Sequence, residues 1–194
     1  DNGDGTYTYT FEEAIPETYL APENATDSFG AGEGELTGDD LEAGTYTVGM
    51  RLRKDYTIDG ATYRDVGNAT EDFLYGGADE IEPREVVKVE NCNRCHVTLQ
   101  AHGGGYRDTR QCILCHTSGA EDESDTGVTI DFRVMIHKIH NGSNLPSVNG
   151  LTTDSDGDRV YGAGVDYVVA EEDFSAAVFP MWPNLSIAMP KDYG

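Results

Sequence analysis

The chain has 194 residues, enough for one large domain or two small ones. It carries 13 basic and 36 acidic residues, a formal charge of -23 at pH 7. Such a balance excludes nucleic acid as a partner and opposes contact with an anionic membrane surface, because both need clustered cations.

No apolar run reaches membrane-spanning length, so direct membrane insertion is not expected. The acid excess, with only four lysines, suits solubility in saline surroundings, although a plainly solvated acidic surface explains it equally. The opening reads as that of a mature, processed chain without a signal peptide. N-x-S/T sequons at Asn24, Asn68, Asn141 and Asn184 point weakly to export, or arise by coincidence.

Residues 1–85 read as a mainly β domain, a small sandwich or barrel. "GTYTYTF" (5–11) alternates as a half-buried strand does. Residues 43–66 read as two or three strands, with Tyr46, Val48, Met50 and Leu52 on one face and a hairpin turn at Asp59-Gly60. The Gly-rich stretch 30–40 reads as loop; "GAGEGE" lacks the strand–helix setting of a dinucleotide site.

Residues 86–145 hold every Cys and His but few large apolar side chains. Sixty such residues cannot bury enough apolar surface alone, so a cofactor or metal is expected to dominate an irregular domain with one or a few short helices. "DFRVMIHKIH" (131–140) is a helix by its pattern of Phe132, Met135, Ile136 and Ile139, and Asp131 stands where an N-cap belongs. Residues 146–194 read as an extended segment packed on the other two parts or on a neighbouring subunit. They include an acidic turn at 152–162, a short strand in "VDYVVA" (165–170), and "FPMWPNLSIAMP" (179–190) with three prolines.

Cys92, Cys95, Cys112 and Cys115 have the spacing C-x2-C-x16-C-x2-C, which a zinc ribbon also uses. Yet His96 and His116 each follow a pair directly. A four-thiolate zinc site does not need them, and CxxC disulfides would expect a thioredoxin-like setting that is absent. Covalent attachment of two haem c groups uses all six residues. The thiols add to the vinyl groups and the adjacent His reaches the iron. Two macrocycles would also supply the missing core.

Each iron then has a sixth position. His102, His137 and His140 are candidate distal ligands, and Met50, Met135, Met181 and Met189 are the methionine alternatives, more simply read as core. His137 and His140 lie about 60° apart around their helix. They cannot be trans to each other on one iron, so they serve different irons or one is spare. Mostly bis-His low-spin haems leave no open site, which favours an electron carrier over an enzyme. A haem reductase with one open iron is the rival, and a zinc-stapled surface or adhesion module the third reading. Asp154, Asp156 and Asp158 alternate as in a calcium loop, though the Glu at its twelfth position is missing. No nucleophile–base constellation is evident.

"CNRCHVTLQAHGG", "QCILCHTSG" and "TIDFRVMIHKIHNG" together resemble the OmcA/MtrC family of outer-surface multihaem c-type cytochromes. The β segment before them resembles the β domain that precedes a haem domain there. The resemblance implies extracellular electron transfer to minerals, soluble shuttles or partner cytochromes, from a secreted or cell-surface location. It implies haem attachment at Cys92/Cys95/His96 and Cys112/Cys115/His116, with His102, His137 and His140 as distal ligands. Family members carry more CxxCH units, whereas no cysteine follows "AAVFPMWPN" here. One distal His is therefore spare or acts in a neighbouring subunit, which suggests a homopolymer, a conductive cytochrome filament.

Overall fold

A computed structural model describes residues 1–20, 36–122 and 125–178. It is mainly β with three short helices. Every sheet among the described residues is a two-stranded ribbon: β1 (Gly44–Ile58) with β2 (Ala61–Tyr75), β3 (Glu121–Asp122) with β4 (Asp125–Thr129), β5 (Leu151–Thr153) with β6 (Arg159–Tyr161), and β7 (Val168–Val169) with β8 (Glu172–Asp173). The helices are α1 (Val89–Cys92), α2 (Thr109–Cys115) and α3 (Phe132–Asn141).

The β1–β2 ribbon is in unbroken antiparallel register from Gly44↔Tyr75 to Ile58↔Ala61. Asp59 (φ 48°) and Gly60 (φ 81°) close it. Both lie in the left-handed region, as the tight turn that matches strand twist requires, so the expected Asp-Gly hairpin is present. Among the described residues β1 and β2 pair only with each other. Residues 5–11, read as a strand from their alternation, are exposed and outside any strand. With no neighbour to pair its backbone, alternation alone does not make a strand. "FPMWPNLSIAMP" and the stretch 30–35, with Met181, Met189, Asn24 and Asn184, lie outside the described residues.

The ribbon docks through its polar face. Asp72 accepts a 2.7 Å hydrogen bond from Thr47, and one guanidinium nitrogen of Arg110 on α2 donates to both of its carboxylate oxygens at 2.7 and 2.8 Å. The buried Gln111 amide donates to the carbonyls of Met50 and Ala69 at 2.9 and 3.0 Å, one on each strand. A Cβ at Gly49 would collide with Leu114 and stand 2.8 Å from the Gln111 side-chain nitrogen, so this glycine permits α2 to lie against β1. Asn68 bridges the ribbon to the loop after α1, donating to the Gly105 carbonyl and accepting from the Arg107 N–H. Its amide is thus committed internally, which leaves that sequon without a free acceptor nitrogen. Met50, read as core, is 44% exposed because it lies on the ribbon's other face.

α3 is capped as its sequence implies. The Asp131 carboxylate accepts from the Arg133 and Val134 N–H groups, and Ser118 donates to its second oxygen. Its apolar stripe packs Met135 and Ile139 onto Leu145, Tyr167 and Val169, with Val128, Ile130, Val148 and Phe174 around them. The segment after residue 145 therefore supplies half of this small core. Only Ile113, Phe132, Leu145, Tyr167 and Val169 are buried apolar residues among those described.

Candidate functional site

The two CxxCH units adopt the same turn. In each, the His N–H donates to the carbonyl of the first Cys at 2.9 Å: His96 to Cys92, and His116 to Cys112. The second unit is held by α2. The Asp108 side chain caps its first turn, and the fully buried Thr109 hydroxyl donates to the Val87 carbonyl at 2.7 Å. All four cysteines are free thiols, and Cys95 and Cys115 are exposed.

The other three histidines are placed differently. His102 sits at φ 50° at the head of the turn "HGGG", which is closed by the Ala101–Tyr106 bridge. There its ring stacks against His116, with centroids 5.9 Å apart and planes inclined by 21°. His140, on the last turn of α3, faces His96 with centroids 6.2 Å apart. His137 is exposed on the same helix and is in neither pair. Two imidazoles that share one metal ion, each through a ring nitrogen about 2 Å from it, have centroids about 6 Å apart. Both pairs have centroid separations near that value, and each contains one CxxCH histidine.

Hydrogen bonds fix which nitrogen is presented. Nδ1 of His116 lies 2.9 Å from the Ile130 carbonyl, Nδ1 of His140 lies 2.9 Å from that of Ile136, and Nδ1 of His137 lies 2.6 Å from that of Arg133. A carbonyl can only accept, so each Nδ1 carries the proton and each Nε2 keeps a lone pair for a ligand. Burial lowers the pKa of His96, with help from His140. Burial also lowers that of His116, with help from His102 and against the Ile130 bond. Both rings are thereby held in the neutral, ligating form.

Burial, with the Asp108 charge beside it, pushes Cys112 up to about 11, and burial also raises Cys92. No three His, Cys, Asp or Glu side chains among the described residues converge to hold a metal ion. Asp154, Asp156 and Asp158 form the exposed β5–β6 turn, where one oxygen of Asp154 accepts from the backbone N–H of Asp156 and Asp158. Next to the second unit, a cavity of about 570 Å³ is lined by Arg84, Glu85, Val86, Thr117, Ser118 and Arg133. Its two guanidinium groups were not singled out in the sequence, where nothing marks them off from other surface arginines.

The arrangement is that of a c-type haem-binding domain: repeated CxxCH turns, each with a second imidazole opposite its own. Residues 84–172 match the family model for outer membrane cytochrome MtrC/MtrF-like domains II/IV. Over this segment the chain is similar to the OmcA/MtrC family. It is 38% identical over 84 residues to the multihaem cytochrome MtrC of Shewanella baltica (strain OS185), an overlap of 42% of this chain and 12% of that protein. The crystal structure of the outer membrane decahaem cytochrome OmcA overlaps 70% of this chain and 19% of that one, at 27% identity and a TM-score of 0.46. The chain thus spans less than a fifth of either relative.

Proposed function

We propose that this chain is a di-haem c-type cytochrome that carries electrons outside the cell or at its surface. One haem would be attached at Cys92 and Cys95, with His96 and His140 as axial ligands. The other would be attached at Cys112 and Cys115, with His116 and His102. The observation that carries this is the pairing of each CxxCH histidine with a second imidazole at the spacing of a shared iron. In this reading residues 1–85 are a β domain, 86–145 the di-haem domain and 146–194 a C-terminal segment that packs on the other two or on a neighbouring subunit.

When bound, each haem supplies a one-electron Fe(III)/Fe(II) couple. The protein's own part is to hold the rings. Carbonyls of Ile130 and Ile136 orient His116 and His140, and the helix that ends at His140 starts beside His116, since the Phe132 N–H donates to the His116 carbonyl. One short rigid element therefore spans both ligand sets and keeps them close, as electron exchange needs. Arg84 and Arg133 stand where anionic haem substituents beside the second unit would be neutralised. Two axial imidazoles leave no place for substrate at iron, which favours a carrier over a reductase.

The family model's description as an outer membrane cytochrome supports the surface location, where minerals, shuttles or other cytochromes would be the acceptors. No helix among the described residues is long and apolar enough to cross a membrane. His137, outside both pairs, is left as a spare imidazole. Copies joined in series would lengthen a two-haem path into a filament. Intact-mass measurement with a pyridine haemochrome assay tests the reading. A mass increase equal to two haems supports it, and the bare polypeptide mass contradicts it.

A further inference from the structure

The β1–β2 ribbon presents its apolar face away from the domain on which it docks. Directly opposite residues share a face, so Met50, Leu52, Tyr56 and Ile58 stand with Tyr63, while Gly49, Arg51, Asn68 and Asp72 point the other way. The second set makes the contacts to α2 and the Gly104–Arg107 loop, including the Arg51 guanidinium 4.7 Å above the Tyr106 ring. Along the outer part of the apolar face, Met50, Leu52, Tyr56, Ile58 and Tyr63 are each 42% or more exposed. A lone two-stranded ribbon with such a face is marginal in water, and a sheet normally covers it.

We infer that this face is a self-association surface whose occupant is the same ribbon of a second copy. The pairing register is self-complementary. A two-fold axis along the ribbon lays β1 of one copy over β2 of the other. Because Met50 pairs with Ala69, Leu52 with Gly67 and Ile58 with Ala61, each of these three large side chains then meets a small residue of the second copy, while Tyr56, paired with Tyr63, meets Tyr63 of the second copy, ring against ring. Lys54, paired with Asp65, meets Asp65 of the second copy, and the contact repeats reciprocally as an isologous interface requires. The result is a four-stranded sandwich of two ribbons. Charge selects this face over others. The chain carries -23, so contact elsewhere sets acid against acid, whereas this strip bears one Lys and one Asp and is neutral.

The inference deepens the self-association reading but does not depend on haem ligation, so either can fail without the other. Sedimentation velocity of the full haem-loaded chain tests it. The expected result is a reversible dimer that strengthens with salt, because screening the repulsion between two chains of -23 outweighs the weakening of two exposed Lys54–Asp65 contacts. Leu52→Asp with Tyr56→Asp weakens it by about tenfold or more, while Arg53→Gln on the opposite face does not, and the haem spectrum is unchanged throughout. A monomer at every concentration, a dimer indifferent to the double substitution, or a dimer dissolved by salt overturns it.

Discussion

The ring of His140 lies 6.2 Å from that of His96, although 43 positions separate them along the chain. α3 makes this possible. It begins at Phe132, tied to the second CxxCH unit, and its last turn delivers His140 to the first. The start of the helix therefore sets the position of a ligand at its end.

Asp131 fixes that start. Asp131→Ala removes the acceptor for two backbone N–H groups and for Ser118, and is expected to cost about 1–2 kcal/mol. The loss should be visible as a lower Tm, together with a fraction of one haem turned high-spin as His140 is displaced. An unchanged spectrum would mean that the cap stabilises without positioning.

Acid should loosen the same region. Bonds from Val134 and Ser118 hold the Asp131 carboxyl below its usual range, and Arg110 and Thr47 do so for Asp72. A carboxyl depressed in the folded state contributes stability above its unfolded value and loses it as pH falls through the folded one. Tm should therefore drop between about pH 5 and about pH 3. The drop should be shallower in an Asp131→Asn, Asp72→Asn variant, measured by thermal melts across that range.

Gln111 is the other joint. Gln111→Ala leaves the carbonyls of Met50 and Ala69 without their shared donor, a loss of about 1–3 kcal/mol. The expected signature is faster amide exchange along β1 and β2 while α3 keeps its protection. Uniform destabilisation of both would contradict a local docking role.

Gly142 ends α3 at φ 31°, where an added Cβ would stand 2.5 Å from the carbonyl oxygens of Phe174 and Ala177. Gly142→Ala is expected to cost about 1–3 kcal/mol and to free the segment that covers the α3 core. Limited proteolysis after residue 145 would show it.

Local chemistry was legible in the sequence where a few neighbouring residues decide the outcome. The CxxCH turns, the Asp131 cap, the packing of Met135 and the Asp59-Gly60 turn are of this kind. What depends on the path of the chain was not. Spacing left His137 and His140 equivalent, and only the course between α1 and α3 pairs His140 with His96. Alternation told that Tyr46, Val48, Met50 and Leu52 share a face, but not that the body docks on the opposite one. That choice is made by Asn68, Arg110 and Gln111, polar residues without periodicity.

The central claim is that two imidazole pairs each grip one iron while His137 stands apart. Low-temperature electron paramagnetic resonance of the oxidised protein, with its His102→Ala, His137→Ala and His140→Ala variants, tests it most directly. Two low-spin bis-His signals are expected in the parent. One should become high-spin in the His102 variant and the other in the His140 variant, with neither altered in the His137 variant. A ligand lost on replacing His137, or both signals intact without His140, would contradict the account.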